Sequence, residues 1–217
     1  MFCQACEPSQ PCTSEPEPTP AASAASSPSA SAMSRNLTKI GDAAYAKSEK
    51  INAELLTLTY GALVAQLVKD YEATDEINEQ LEKMGYNIGQ RIIDEFLAKS
   101  GAPRCGNFKE SVETCAKVGF RMFLGVAAQT QDWTEAETEV TLAMDSAPLC
   151  NFVELPEQYA GLHYANLLCG VVRGSLEMVG YKVECAFAKD ALMGDEANEI
   201  RVSLIEVINE QPPADDD

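Results

Sequence analysis

The side chains that could carry covalent chemistry are eight cysteines and a single histidine, His163. A cysteine nucleophile would need Cys105 brought to His163 as base, with an oxyanion donor and a third group orienting the imidazole. Neither of those accessories is readable, and His163 opens an apolar helical stretch. It therefore reads as a hydrogen-bonded helix-end histidine, and no catalytic residue is assigned. Zinc is also disfavoured: Cys3-x-x-Cys6 has only Cys12 nearby and no second ligand pair, so no metal is expected. Glu135, Glu137 and Glu139 alternate beside a strand start, which makes them a solvated edge rather than an acid–base pair. Cys3 and Cys6 lie near a chain end, where S-acylation signals occur, but carry no motif that demands it.

The other cysteines are scattered at 105, 115, 150, 169 and 185, as free thiols of a reducing cytosol would be. Lys and Arg total 16 against 34 Asp and Glu, and 16 minus 34 leaves a net charge of −18. Such a chain repels phosphate backbones and anionic lipid headgroups, which argues against nucleic acid as a partner and for protein or an apolar ligand. Apolar runs such as Leu167 to Val172 are far shorter than the ~20 residues that span a bilayer, so no transmembrane segment is expected. The stretch after Met1 has neither the basic nor the apolar region of a secretory signal.

The elements that must position these residues follow from periodicity. Residues 1–36, rich in Ser, Ala and Pro, cannot bury enough apolar surface to offset chain entropy and are expected to be a disordered extension. Residues 37–209 should form one domain and 210–217 an acidic tail. Leu56, Tyr60, Leu63, Leu67 and Tyr71 recur every three or four residues, predicting a helix over 53–71. Ile77, Leu81, Met84, Ile88, Ile92 and Phe96 predict a second helix, from Thr74 or Asp75 until Gly101-Ala102-Pro103 stops it. Val112, Ala116, Gly119 and Phe123 share one face of a third helix over 108–125.

After Trp133 the period becomes two. Strands are expected at 140–144 and 149–155, then at 181–188 and from Ile200, with a buried helix over 162–179 between the pairs. Gly170-x-x-x-Gly174 in that helix should permit close packing. In the last strand the apolar phase slips at Leu204-Ile205, which a β-bulge would absorb. The order ααα-ββ-α-ββ implies an α+β fold, a four-stranded antiparallel sheet packed against helices.

Four segments, in order, resemble the Bet-three family of transport protein particle (TRAPP) subunits. They are Thr57-Leu58-Thr59-Tyr60-Gly61-Ala62-Leu63-Val64, Leu81-Glu82-Lys83-Met84-Gly85-Tyr86-Asn87-Ile88-Gly89, Phe152-Val153-Glu154-Leu155-Pro156 and Leu167-Leu168-Cys169-Gly170-Val171-Val172-Arg173-Gly174. The resemblance spans about 54–209. It implies the TRAPP small-subunit fold and side-by-side association with other small TRAPP subunits in a vesicle-tethering complex of ER-to-Golgi transport. That complex would promote nucleotide exchange on a Rab-family GTPase, with this chain a non-catalytic cytoplasmic subunit peripheral to cis-Golgi and ER-derived membranes.

The resemblance also implies a covalently bound, palmitate-type acyl chain on Cys105, within an internal channel lined by Arg104, Val112, Ala116, Gly119 and Phe123. The residue types suit this: a thiol in a Pro/Gly loop is accessible, a neighbouring guanidinium favours its thiolate, and small helical residues leave room. Burying such a chain at ~0.8 kcal/mol per methylene would stabilise the fold by roughly ten kcal/mol before ordering costs. Family members also direct a C-terminal segment at the GTPase, which here would be the acidic Asp215, Asp216 and Asp217. The alternative is a free-standing module that binds a lipid or another hydrophobic ligand through the same channel.

Overall fold

The computed structural model describes residues 30–208, with side chains from Met33 onward. Helix α1 (Ala30–Lys47) leads into α2 (Ala53–Asp70), whose N-terminus is capped by Asn52 accepting from the amides of Glu54 and Leu55. A long α3 (Thr74–Lys99) follows. Next come α4 (Phe108–Thr114), a π turn at Cys115–Gly119, and α5 (Phe120–Leu124), one helical run closed by Gly125 at φ 74°. Strands β1 (Gln129–Gln131) and β2 (Glu139–Met144) precede helix α6 (Leu167–Met178), and β3 (Tyr181–Lys189) and β4 (Asn198–Val207) follow it.

The sheet is four-stranded and antiparallel, ordered β1-β2-β4-β3. Val140, Leu142, Ile200, Val202 and Val183 turn their side chains into the core, where Val172 and Leu176 of α6 meet them. Helix α6 lies on β3 and is covered in turn by α3. Two glycine pairs let α3 and α6 touch backbone to backbone: Gly85 and Gly89 on one helix, Gly170 and Gly174 on the other. A Cβ on Gly170 would stand 2.0 Å from the Glu82 carbonyl oxygen, and one on Gly85 2.0 Å from that of Leu167. The expected bulge is present: Lys182 pairs with Glu206 and Val183 with Leu204, so Ile205 is the extra residue.

Four expectations need correcting. Residues 149–155 are not a strand, because Pro148–Cys150 forms a 3₁₀ turn and Phe152 takes a left-handed backbone at φ 65°. Their alternation reflects Leu149, Val153 and Leu155 anchoring a loop to the core. The fourth strand is instead β1, a short polar segment with no apolar alternation to reveal it. The helix after this loop begins at Leu167 rather than 162, with turns before it. Finally, α1 was not anticipated. It crosses the expected boundary at 36/37, and Leu37 and Ala44 are buried. The rest of the N-terminal extension, residues 1–29, lies outside the described residues, as do 209–217.

Candidate functional site

The loop between α3 and α4 is fixed at both ends. Ser100 is buried and its hydroxyl accepts from the Ala102 amide at 3.1 Å. At the other end Gly106 donates its amide to Glu110 at 2.7 Å, and Asn107 caps α4 through the same residue's amide. Between these anchors Cys105 is part-exposed. Its sulfur lies 3.4 Å from the hydroxyl of buried Thr114 and 3.8 Å from the Pro103 carbonyl oxygen. The thiol is thus held against the last turn of α4, where the π turn begins.

A π turn inserts one residue into a helix and loosens its hydrogen-bond ladder, a feature that recurs at functional sites. Here the Ala128 amide donates to the Ala116 carbonyl at 3.0 Å, tying the turn to the segment before β1. On the side facing α3, a Cβ on Gly119 would meet only the Phe96 ring at 3.9 Å and the Cys115 sulfur at 4.0 Å, both ordinary contacts. The space is open to a larger group. Cys115 retains accessible surface, although burial pushes its thiol up to about 12. One turn further on, Met122 and Phe123 border a groove of about 290 Å³, completed by Ser48, Glu49, Ile51, Glu95 and Lys99.

The expected lining residues therefore divide. Gly119 and Phe123 keep accessible surface along this side, whereas Val112 and Ala116 are sealed in the hydrophobic core. Arg104 is exposed beside Cys105. Phe96, Thr114 and Cys115 join the site without having been singled out in the sequence. The spacing of four from Cys115 to Gly119 was the available signal for one of them.

His163 and Cys105 have separate surroundings. The His163 imidazole sits 3.1 Å from buried Asp190 and stacks on Phe187, while its amide donates to Asn78. This is a structural histidine joining α3 to the β3–β4 connection. Glu135, Glu137 and Glu139 are exposed, with Glu137 paired to Lys109 at 2.6 Å. Burial also raises the Cys150 thiol to about 12 and pushes Cys169 and Cys185 up, which disfavours their thiolates; Cys169 and Cys185 are core side chains, and part-exposed Cys150 packs against the core. Among the described residues no group of three or more His, Cys, Asp or Glu could hold a metal ion, and no helix is long and apolar enough to cross a membrane. Cys3, Cys6, Cys12, Asp215, Asp216 and Asp217 lie outside the described residues.

Residues 56–203 match the protein family described as transport protein particle (TRAPP) component. The chain is 54% identical over 182 residues to trafficking protein particle complex subunit 3 of Dictyostelium discoideum, covering 83% of this chain and 98% of that protein. It is 42% identical over 190 residues to subunit BET3 of the same complex from Saccharomyces cerevisiae, covering 86% and 98%. A crystal structure of subunit 3 from Naegleria fowleri, covalently bound to palmitic acid, superposes with a TM-score of 0.72 at 52% identity. It covers 75% of this chain and all of that one.

Proposed function

The chain belongs to the transport protein particle (TRAPP) component family, and on that premise we propose that it serves as the subunit-3 scaffold of the vesicle-tethering complex. In this reading it is a non-catalytic subunit that binds other small TRAPP subunits side by side. The complex acts between ER and Golgi and promotes nucleotide exchange on a Rab-family GTPase. Asp215, Asp216 and Asp217 approach the GTPase, and Cys105 carries a fatty acyl thioester. The observation that supports the acyl assignment is a part-exposed Cys105 whose sulfur lies 3.4 Å from Thr114, at the start of the π turn in which Gly119 leaves space beside Phe96 and Cys115.

The residues present fit such a group. Its carbonyl end would sit at Cys105 beside Thr114, and its methylenes would replace water against Phe96, Cys115 and Gly119. When bound, the acyl group supplies apolar volume that this wall leaves open. Its formation is a thioester exchange with an acyl-thioester donor such as an acyl-coenzyme A. A bond forms between the Cys105 sulfur and the acyl carbon, the donor's carbon–sulfur bond breaks, and the thiol proton leaves with the released thiol.

Co-expression with the other small TRAPP subunits tests the scaffold reading. The chain should co-purify with them stoichiometrically, and the assembly should accelerate nucleotide release from a Rab-family GTPase. Assembly without that acceleration would refute the exchange role alone. Truncation after Asn209 should lower the exchange rate without affecting assembly, and an unchanged rate would remove the acidic tail from the mechanism.

A further inference from the structure

We infer that Phe152 is an anchor residue for a protein partner, namely another small TRAPP subunit that offers an apolar pocket edged by Lys and Arg. This rests on the scaffold reading proposed above.

Two independent observations meet at this side chain. Phe152 is 91% exposed, the most exposed of the large apolar side chains described. Its backbone also stands at φ 65°, a region that strains a bulky residue and that Gly, Asn or Asp occupies more readily. The strain persists because the neighbours fix the loop. Leu149 is buried, Val153 and Leu155 pack against the core, and the Val153 amide donates to the Cys150 carbonyl at 3.3 Å. The fold thus holds a phenyl ring out in water against both hydration and backbone energy, and strain of this kind collects where a ligand or partner is clamped. A ring displayed on a fixed loop suits an interface. Aromatic anchors seated in pockets carry much of the binding energy, and a preformed loop loses little conformational entropy on docking.

Charge decides what can cover the ring. Between Arg121 and Arg173 the chain has no Lys or Arg and seven Asp or Glu, so that stretch carries 0 minus 7, or −7. Asp145, Glu154 and Glu157 flank Phe152 in sequence, and all three are exposed. A second copy of this chain, at −18, is repelled from such a patch. So are anionic lipid headgroups, the acidic residues 210–217, and residues 1–29 with three Glu and no Lys or Arg. The complement of an acidic patch around one exposed ring is a partner surface that is apolar at its centre and cationic at its rim.

The full-length protein is titrated against each of the other small TRAPP subunits, alongside three variants. Phe152→Asn removes the ring and supplies a residue that tolerates the left-handed backbone. It should raise the midpoint of urea denaturation yet weaken binding to at least one subunit tenfold or more, whereas Phe152→Tyr should bind as wild type does. The double variant Glu154→Lys, Glu157→Lys should bind that subunit at least fivefold more weakly, and equal affinity would overturn the cationic rim. A lowered midpoint in Phe152→Asn would make the ring a structural residue and overturn the inference. Self-association of the wild type that Phe152→Asn abolishes would place a second copy on the ring and also overturn it. Unchanged affinity of Phe152→Asn for every subunit overturns the inference while leaving the scaffold reading standing. A wild-type protein that binds no other small TRAPP subunit overturns both.

Discussion

The edge of the Phe96 ring stands 3.9 Å from the point a Cβ on Gly119 would occupy, across the gap between α3 and the π turn. A glycine in helical backbone, with φ −63° and ψ −56°, costs stability relative to alanine, and nothing here obstructs a methyl group. Gly119→Ala should therefore raise stability by about 0.5–1 kcal/mol in urea denaturation and leave acylation intact. Gly119→Leu should fold equally well but fill the gap, and intact mass should show the bare chain. A Gly119→Leu protein that still carries an acyl group would move the site elsewhere.

Gly170 behaves oppositely. Its Cβ would lie 2.0 Å from the Glu82 carbonyl oxygen and 2.7 Å from the Tyr86 amide nitrogen, both backbone atoms that can move only if α3 and α6 separate. Gly170→Ala is expected to cost about 3 kcal/mol or more, read as a lowered denaturation midpoint. A loss under ~1 kcal/mol would mean that the two helices are not in backbone contact.

The buried thiols make stability fall in alkali. Burial raises Cys115 and Cys150 from 9.0 to about 12, so between those values the unfolded chain has lost protons that the fold retains. Fewer protons bound in the unfolded state means stability decreasing with pH, by at most ~1.4 kcal/mol per pH unit for each thiol. Below pH 9 this contribution is fully present. Denaturation midpoints from pH 8 to 11 should decline, and Cys115→Ala should make the decline shallower. An equal slope in the variant would show that the Cys115 thiol is not enclosed.

Arg121 clamps α1 to the end of α5. It donates to Asp42 at 2.8 Å and to the Gly125 carbonyl, and lies 5.0 Å from the Tyr45 ring centre. With the side chain partly exposed, Arg121→Ala should cost about 1 kcal/mol, and hydrogen exchange should quicken over residues 37–47. Unchanged protection there would show that Gly41, packed on the Lys117 carbonyl, holds the helix without the clamp.

Residues whose burial has one period were legible in the sequence. The apolar rows of α2 and α3 gave those helices their limits, and the parity change at Leu204-Ile205 located the bulge at Ile205. Gly170-x-x-x-Gly174 announced close packing, though not that Gly85 and Gly89 would meet it across α3. Helix α1 escaped notice because its buried face is small, resting on Leu37, Gly41 and Ala44 within a Ser/Ala-rich stretch. At the candidate site, Cys105 and Gly119 were singled out through family resemblance. Phe96 was hidden among the apolar residues of α3, and no local pattern marks the π turn that separates Gly119 from the sealed face of Val112 and Ala116.

The central claim, a TRAPP subunit acylated on Cys105, is tested most directly by intact mass of the protein purified from a eukaryotic host, before and after neutral hydroxylamine, with Cys105→Ser alongside. Wild type should show the excess mass of one fatty acyl group, lost on hydroxylamine treatment and absent from Cys105→Ser. An unmodified wild-type mass, or an acyl group that persists in Cys105→Ser, would contradict it.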